Sequence, residues 1–344
     1  MKALFFEHHG KSDALKYGDR PDPVAGPGEV VVRLEAAAMN RLDLFVLHGI
    51  PGVPPSLPHI GGADGFGRVE SVGAGVTDLA PGEHVVLQPG IGCGRCEFCL
   101  EGELSLCVDF RILGEHLPGT FAERIAVPRR NVFPAPPNLL PEKAAAFPLA
   151  ALTAWRMLVT RAQLRPGETV LIHGIGGGVS TFALQIARLA GASLVIVTSS
   201  SEEKRKKAEA LGADVVLDYT QVDVGKKVRE ITKKRGVDVV VDSVGAATWR
   251  ASLNSAARKG RIVTCGATTG PNPEEEIRLI FWKQLPILGS TMGTDAEFAA
   301  MLRDVAAGRL DPVVDEVFPL AEAKQGFDRL ESGEGFGKIV FRIG

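Results

Sequence analysis

The sequence predicts an α/β protein in which a β-rich, barrel-like domain is followed by a doubly wound parallel sheet. Three observations lead to this prediction. Short strand-like runs separated by Pro and Gly fill residues 1–120. From residue 167 onward, apolar runs of strand length alternate with helical stretches, which is typical of a parallel sheet with crossover helices. A loop rich in glycine joins the first of these strands to the first of these helices.

The β-rich part is predicted from four short runs that are apolar or that alternate between apolar and polar residues. Pro and Gly cluster between these runs, where they favour turns and disfavour pairing in the middle of a sheet. A small and irregular barrel is the fold that this pattern favours. The four strands are predicted at residues 3–6, 30–37, 67–72 and 84–87.

The α/β part is predicted from six strand-like runs with helical stretches between them. A helical segment at 141–162 links it to the first part, and two strand-like runs in the tail are expected to return there. We therefore expect domains at 1–127 and 128–295, with a C-terminal return at 296–344. The six strands are predicted at 169–173, 193–198, 215–217, 237–241, 261–265 and 286–288, with helices at 179–189, 224–234 and 248–257 and tail strands at 313–318 and 338–343.

The composition excludes several classes of protein. The chain is 45% hydrophobic and 23% charged, with a net charge of −2, so neither nucleic acid nor an anionic membrane surface is an expected partner. No window approaches the roughly 20 apolar residues that a membrane span needs. The first residues carry only a short apolar run, so we expect no signal peptide and a cytoplasmic protein whose thiols are reduced.

Four of the five cysteines form a compact cluster with the spacing C-x2-C-x2-C-x7-C. Four thiolates this close suit a closed tetrahedral zinc site, which leaves no position for water and is therefore expected to be structural. An iron–sulfur cluster and two disulfides are the alternatives. Ferredoxin-type spacing has a shorter gap to the fourth cysteine and a following proline, both absent here. The predicted zinc ligands are Cys93, Cys96, Cys99 and Cys107.

The glycine loop predicts a dinucleotide site. It lies between a strand and a helix, so its backbone N–H groups and the helix dipole can face a pyrophosphate. The second strand of the unit ends in Thr198, Ser199 and Ser200, with no acid before Glu202 to bond a ribose 2′-hydroxyl. Hydroxyls there and Lys204 can bind a 2′-phosphate, which favours NADP(H) over NAD(H). The alternative is that the serines only cap a helix and that Lys204 is solvated.

Six motifs in order along the whole chain carry a family resemblance. They are EAAAMNRLDLFVLHG (35–49), LPHIGGADGFGRVESVG (57–73), the cysteine cluster, GTFAERIAVP (119–128), FPLAALTAW (147–155) and the glycine loop. Together they resemble the medium-chain dehydrogenase/reductase superfamily, closest to its zinc-containing alcohol dehydrogenase-like and NADPH:quinone oxidoreductase branch. The resemblance implies a GroES-like β-barrel catalytic domain and a Rossmann domain. It also implies an NAD(P)H-dependent enzyme that forms a homodimer or homotetramer.

Departures from the family motifs bear on the chemistry. In zinc alcohol dehydrogenases, three side chains hold a catalytic zinc, and their positions match Asn40, Ala63 and Leu149 here. Alanine and leucine cannot bind zinc and an amide binds it poorly, so we expect no hydride-transfer zinc. The hydroxyl of the family's proton relay falls on Leu42. The histidines at 48, 59 and 116 leave open a metal site at other positions.

The resemblance also assigns residues to the pocket. Asn40 and Asp64 match an amide and an acid that line the nicotinamide pocket of quinone oxidoreductases, and Thr153 matches a threonine near the ring; these three are the predicted catalytic residues. A turn-stabilising pair is the alternative for Asn40 and Asp64. Lys204 and Tyr219 match the 2′-phosphate site. The predicted cofactor-binding residues are Gly174, Gly176, Gly177, Gly178, Val179, Ser180, Thr198, Ser199, Ser200, Lys204, Tyr219, Val244, Gly266 and Ala267.

The leading interpretation is an NADPH-dependent reductase that transfers hydride directly to a quinone or enone, with one structural zinc and no catalytic zinc. A conjugated acceptor spreads the developing charge, so it needs no metal where a simple ketone would. The substrate is then a small carbonyl compound or quinone. The alternatives are a zinc-dependent alcohol dehydrogenase and a non-enzymatic NADPH-binding protein.

Overall fold

The computed structural model describes residues 1–52 and 55–344, and the chain packs into two compact units. The first unit comprises residues 1–152 and 293–344, and the second comprises residues 153–292. Residues 128–152, which the sequence pattern assigned to the second domain, therefore pack with the first unit. The end of the chain packs there too. The first unit is thus discontinuous in sequence, whereas the second is one continuous segment.

The strands are β1 (Lys2–Phe6), β2 (Leu15–Asp19), β3 (Glu29–Ala38), β4 (His59–Ile60), β5 (Asp64–Val72), β6 (His84–Leu87), β7 (Gly90–Ile91), β8 (Arg111–Ile112), β9 (Arg124–Pro128), β10 (Val132–Pro134), β11 (Thr169–Ile172), β12 (Leu194–Thr198), β13 (Val215–Leu217), β14 (Val237–Asp242), β15 (Ala256–Thr264), β16 (Ile287–Gly289), β17 (Val314–Pro319) and β18 (Lys338–Arg342).

The α-helices are α1 (Arg41–His48), α2 (Glu97–Leu100), α3 (Pro141–Ala145), α4 (Pro148–Trp155), α5 (Gly178–Leu189), α6 (Glu202–Ala210), α7 (Val224–Ile231), α8 (Trp249–Ser255), α9 (Ile277–Lys283), α10 (Asp295–Ala306) and α11 (Ala323–Ser332), with a π-helical turn at Arg156–Arg161. Within the described residues, no helix is both long and apolar enough to cross a membrane.

The predicted helical segment 141–162 is broken into consecutive pieces. The helix α3 ends at Ala145, and α4 begins with Pro148. Proline has no N–H and its ring disfavours a helical conformation in the preceding residue, so it can start a helix but cannot continue one. The chain therefore ends one helix before this proline and begins a second one at it.

The first unit is built around β3, which pairs with β5 and β9 and, at its carboxyl end, with β18. Ala38, the last residue of β3, lies opposite Asp64 of β5 and also opposite Val340 of β18. Strands from the beginning and the end of the chain thus meet at one point of the sheet. The aromatic rings of Phe121 and Phe341 pack edge to face in the core beneath, with centroids 5.1 Å apart.

The second unit contains one parallel sheet in the order β13-β12-β11-β14-β15-β16. Its central strands are buried on both faces, as expected when helices cover both sides of a parallel sheet. The strand order reverses between β11 and β14, and ligands bind outside the carboxyl ends of strands at such a switch point. The two-part architecture confirms the predicted fold class.

Candidate functional site

The glycine loop lies at the switch point of the parallel sheet, between the end of β11 and the start of α5. Gly174 and Gly176 have φ angles of 65° and 128°, a region that residues with a side chain rarely adopt. A Cβ on Gly174 would lie 3.2 Å from Cγ2 of Val244, so the loop is also closely packed. Gly177 caps α5, and the loop therefore presents backbone N–H groups at the positive end of a helix.

Two hydroxyl groups hold this loop in place. Thr198 Oγ1 accepts a hydrogen bond of 3.0 Å from the backbone N–H of Gly174. The Ser180 hydroxyl lies 3.1 Å from the carbonyl of Gly174 and 3.0 Å from that of Gly177, positioned to donate to either. The last glycine of the G-x-G-x-x-G pattern in the family that the sequence resembles matches Ser180 here, and the serine side chain braces the loop instead of disrupting it.

The acidic residues after β12 are paired with lysines of their own helix. Glu202 Oε1 lies 2.7 Å from Nζ of Lys206, and Glu203 Oε1 lies 2.7 Å from Nζ of Lys207. Both pairs have the i,i+4 spacing at which side chains on a helix are neighbours. The two carboxylates are therefore held along α6 by ammonium partners. Their negative charge, the main argument against an NADP(H) site here, is locally compensated.

The polar groups around the strand end include one that the sequence motifs do not reveal. Tyr219, a predicted 2′-phosphate residue, donates from its hydroxyl to Ser200 Oγ at 3.0 Å. Arg205 Nη1 donates to the carbonyl of Ser200 at 3.0 Å and to Asp218 Oδ2 at 2.8 Å. The structure thus adds a guanidinium to the predicted hydroxyls. Its sequence signal is weak because it belongs to a basic run typical of a solvated helix face.

The loop after β14 is organised by Asp242, another residue that sequence reasoning does not select. This buried carboxylate accepts from the N–H groups of Val244 and Gly245 at 2.9 and 3.0 Å. The hydroxyls of Thr248 and Ser252 donate to it at 2.9 and 2.6 Å. Asp242 therefore fixes the loop that carries Val244 beside the glycine loop. The predicted residues Gly266 and Ala267 follow β15 at the same carboxyl edge of the sheet.

The first unit contains a buried network that joins Asn40, Asp64 and Lys338. Asn40 Nδ2 donates to Asp64 Oδ2 at 2.9 Å. Lys338 Nζ donates to Asn40 Oδ1 at 2.5 Å and to Asp64 Oδ2 at 2.9 Å. The side chain of Lys338 is 3% exposed and that of Asp64 is 0% exposed, so the ion pair is withdrawn from water. Sequence reasoning identifies the first two residues and misses the lysine.

Backbone groups complete this network. The N–H of Leu149 donates to the second oxygen of Asp64 at 2.7 Å. Asp43 accepts from the N–H of Asn40 at 2.6 Å and from that of Gly62 at 3.0 Å. Burial raises the pKa of Asp43 to about 7, against the lowering effect of these two bonds and of the Lys338 charge. Asn40 and Asp64 therefore do more than stabilise a turn, because their side chains bond to each other and to a distant strand.

The residues at the family's catalytic metal position do not fit a zinc ion. Ala63 has no side-chain ligand atom, and Leu149 contributes only its backbone N–H, which donates to Asp64. The carboxylate and amide oxygens that remain are already bonded to an ammonium group. A divalent cation bound to these oxygens would have to displace Lys338. If the ammonium stayed, repulsion between the two neighbouring positive charges would raise the free energy strongly.

The three histidines considered for a metal site at other positions each contact different groups, and His48 Nε2 lies 3.7 Å from Glu331 Oε1. His59 Nε2 lies 2.9 Å from the carbonyl of Gly114, and His116 Nδ1 lies 3.2 Å from the N–H of Ile112. Burial lowers the pKa of both imidazoles. Within residues 1–52 and 55–344, three or more His, Cys, Asp or Glu side chains converge as a possible metal site only at the cysteine cluster.

The four clustered cysteines are positioned for one zinc ion. Their ligand atoms all lie within 4.8 Å of one another, and sulfurs bound tetrahedrally at about 2.3 Å from a zinc are about 3.8 Å apart. Cys107 Sγ also accepts from the N–H groups of Cys93 at 3.2 Å and of Asp109 at 3.4 Å. Such N–H···S bonds stabilise a thiolate and orient it. The donor set and its spacing fit the predicted structural zinc.

Thr153 lies in α4, and its buried hydroxyl is 3.9 Å from the sulfur of Met292. By packing, this residue begins the second unit, whereas Asn40 and Asp64 belong to the first. The structure therefore brings Asn40 and Asp64 together directly. It places the glycine loop and the loop after β14 together in the second unit.

Comparisons with known proteins match both halves of the chain. Residues 26–137 match the model of the alcohol dehydrogenase GroES-like domain, and residues 178–307 match that of the zinc-binding dehydrogenase. An NAD-dependent alcohol dehydrogenase of Sulfolobus acidocaldarius is 31% identical over 100% of both chains. An acryloyl-coenzyme A reductase of Metallosphaera sedula is 33% identical over 99% of both.

Solved structures agree with these sequence comparisons. The crystal structure of an NAD-dependent alcohol dehydrogenase shares 46% identity with a TM-score of 0.97, covering 100% of both chains. The crotonyl-CoA carboxylase/reductase AntE V350A in complex with NADP shares 26% identity with a TM-score of 0.93, covering 99% of this chain and 94% of that one. The relatives therefore include proteins named as alcohol dehydrogenases, as an acryloyl-coenzyme A reductase and as a crotonyl-CoA carboxylase/reductase.

Proposed function

The chain belongs to the zinc-type medium-chain dehydrogenase/reductase superfamily, and from that premise we propose that it reduces conjugated carbonyl compounds with NADPH and uses no catalytic zinc. The coarser statement, an NAD(P)-dependent oxidoreductase acting on small molecules, follows from the relatives. The finer proposal depends on one observation, the buried Asn40–Asp64–Lys338 network at the position of the family's metal site.

This network favours a conjugated acceptor because it offers hydrogen-bond donors where zinc enzymes offer a Lewis acid. An unconjugated ketone or alcohol concentrates the developing charge on one oxygen, which a metal stabilises well. In an enone or quinone, the charge spreads over several atoms and a neutral donor is sufficient. Acryloyl-coenzyme A, named as the substrate of one relative, is also a conjugated carbonyl compound. The proposed substrate class is therefore quinones, enones and enoyl thioesters.

In this proposal, the residues of this chain bind the cofactor, orient the substrate and donate a hydrogen bond to it. The glycine loop and the residues after β12 would hold the cofactor, which supplies the hydride when bound. Asn40 keeps one N–H of its amide beyond the one given to Asp64, because an amide nitrogen carries two hydrogens. This second N–H is the proposed donor to the acceptor oxygen. We assign no side chain as general acid, and solvent protonates the product.

The relatives include proteins named NAD-dependent, so the proposed preference for NADPH rests on residues of this chain. No carboxylate lies between Thr198 and Glu202 in the sequence, and the two glutamates that follow are paired with lysines. The guanidinium of Arg205 is already paired with Asp218, so the cation proposed for the 2′-phosphate is Lys204, in the first turn of α6, together with the hydroxyls of Ser199, Ser200 and Tyr219. A ribose 2′-hydroxyl alone would gain little from this cation.

Steady-state turnover tests the proposal. With NADPH as donor we expect reduction of quinones, enones or enoyl thioesters at a kcat/KM at least about 100-fold above that for simple ketones, because only the conjugated acceptors tolerate the missing metal. We expect NADPH to be preferred over NADH by about tenfold or more, the effect of one compensated charge pair. Added chelator at concentrations that leave the structural zinc bound should not change the rate.

The competing functions predict different results. Faster oxidation of simple alcohols, with a second zinc per chain, would identify an alcohol dehydrogenase and overturn the proposal. Tight NADPH binding without turnover of any acceptor in the panel would identify a cofactor-binding protein. A preference for NADH would overturn the cofactor assignment alone.

We also propose that the second unit pairs with its counterpart in a second copy of the chain. The strand β16 is last in the order of its sheet, and α9, the helix that precedes it in sequence, exposes Ile277, Phe281 and Trp282, the last of which is 67% exposed. Exposed apolar side chains next to an unpaired strand edge are typical of a surface that a partner covers.

Replacing Trp282 with glutamate should disrupt this assembly. We expect wild-type protein to have a mass in solution that is a multiple of the 36.5 kDa chain, and the variant to shift toward 36.5 kDa, because a charge would be buried in the contact. Light scattering coupled to size-exclusion chromatography measures both. Val24→Glu is the matched control, since Val24 is also exposed but lies in the first unit. A variant that keeps the wild-type mass would place the interface elsewhere.

A further inference from the structure

Lys338 reaches the site because of strand register. It is the first residue of β18, and β18 runs antiparallel beside the end of β3. The N–H of Met39 donates to the carbonyl of Ile339 at 2.9 Å, which extends the contact beyond the last paired residues. Asn40 follows directly and caps α1. The lysine side chain is thus delivered to the amide by a rigid sheet and not by a loop.

The contacts of Lys338 determine which way the Asn40 amide faces. An ammonium group can only donate hydrogen bonds, so the amide atom 2.5 Å from it must be oxygen. A carboxylate can only accept, so the amide atom 2.9 Å from Asp64 must be nitrogen. Both contacts require the same orientation of the amide. A flipped amide would place its NH2 group against the ammonium of Lys338 and its oxygen against the carboxylate of Asp64. One N–H of the amide remains outside these bonds.

The ammonium also changes the amide electronically. A cation bonded to the carbonyl oxygen withdraws electron density, and a polarised amide becomes a stronger N–H donor. Solvent does not screen the effect, because Lys338 and Asp64 are withdrawn from water. Asp64 compensates the charge of the lysine and holds the other N–H of the amide. The ammonium of Lys338 thus donates to the oxygen of the Asn40 amide, and the nitrogen of the same amide carries the remaining N–H.

We infer that Lys338 is a positioning residue for the reduction: its buried ammonium takes the place of the family's metal ion by orienting and polarising the Asn40 amide that donates to the acceptor oxygen. The inference rests on the proposed function for the identity of that acceptor. The alternative is that Lys338 only neutralises Asp64 and stabilises the fold. The two roles differ in what happens when the lysine is replaced by side chains with and without a donor.

Lys338→Gln and Lys338→Met form a matched pair for this test. Both remove the positive charge and leave Asp64 unpaired, so both should lower the Tm by similar amounts. A glutamine amide can still donate to Asn40 Oδ1, whereas methionine cannot. We expect kcat to fall about tenfold in Lys338→Gln and about 100-fold in Lys338→Met, approaching the loss of an oxyanion donor, with KM for NADPH changed less than about threefold. Lys338→Arg keeps a cation and should recover most of the rate.

A readout that needs no substrate accompanies the kinetics. In protein labelled with 15N-asparagine, the side-chain NH2 signals of Asn40, identified by their loss in Asn40→Asp, should be shifted downfield and protected from exchange. They should keep this protection in Lys338→Gln and lose it in Lys338→Met.

Equal kcat values in Lys338→Gln and Lys338→Met, or unprotected Asn40 signals in the wild type, would overturn the inference and leave Lys338 a structural residue. If the wild type shows the protected signals but reduces no conjugated acceptor, the proposed function fails while the orientation of the amide by Lys338 stands.

Discussion

Replacing Cys99 with serine should remove the zinc and lower the stability of the protein by more than the loss of a single hydrogen bond or surface ion pair would. A serine hydroxyl is not ionised at neutral pH and is a poor zinc ligand, so three thiolates remain where four are needed. The residues around the cluster form one turn of helix, α2, and a 3-10 turn at Leu104–Leu106. Leu104 is buried, whereas Leu100, Leu106 and Val108 are exposed to solvent. With most of the large apolar side chains of this lobe exposed, we expect the metal to supply much of its stability.

The expected result is a fall from one zinc per chain to none, with a loss of at least about 4 kcal/mol in the free energy of unfolding, the range typical of a lost structural metal. Elemental analysis and thermal unfolding measure the two effects. Cys265→Ser is the matched control, because Cys265 lies in the second unit, far from the cluster in sequence, and its replacement should leave one zinc bound. Full zinc content and an unchanged Tm in Cys99→Ser would contradict the assignment.

Replacing Gly174 with alanine should weaken cofactor binding about 30- to 100-fold. At φ of 65° a side chain costs roughly 1–2 kcal/mol, and the new Cβ would lie 3.2 Å from Cγ2 of Val244. The loop relieves both strains by turning its N–H groups away from the phosphate position. Because the loop lies at the edge of a sheet that is otherwise unchanged, the Tm should fall by only a few degrees.

Calorimetric titration with NADPH measures this effect directly. Ser180→Gly is the control, since it restores the family's glycine and removes only the hydroxyl contacts to Gly174 and Gly177. We expect its affinity to stay within about fivefold of the wild type, the value of one or two ordinary hydrogen bonds. Equal affinity of Gly174→Ala and wild-type protein would mean that this loop does not bind the pyrophosphate.

The longer strands and helices of the second unit could be predicted to within a few residues because each has a local signal, whereas the short elements β2, β4 and β7 to β10 of the first unit were not predicted. The strand β13 is predicted by its run of β-branched residues. The helix α5 is predicted by its helical periodicity and by Gly191, which follows its end. At the end of α8, a residue distant in sequence is responsible for the difference. The strand β15 begins at Ala256, where a helix to residue 257 was predicted. The ammonium of Lys283, from α9, bonds the carbonyls of Leu253, Asn254 and Ala256, and so ends α8 early.

The candidate site likewise contains residues that local motifs identify and residues that only the structure identifies. Asn40 and Asp64 could be selected because they lie within recognisable motifs. Lys338 could not, because it is 298 residues from Asn40 in sequence and looks like any lysine at the start of an apolar strand. Asp242 escapes selection for a related reason: its four partners become visible only once β14 ends beside α8. Pairing between distant strands determines such contacts, and local patterns do not encode it.

The position of β18 has a consequence for how the protein is made on the ribosome. Residues 153–292 form one continuous unit and can fold as soon as they have been synthesised. The first unit cannot be completed then, because β3 still lacks its neighbour β18 and Asp64 still lacks its ammonium partner. Until β18 has left the ribosome, the Asp64 carboxylate has no counter-ion and the edge of β3 is open. Nascent chains released before β18 is synthesised should therefore be inactive and prone to aggregate, even though their second unit is complete.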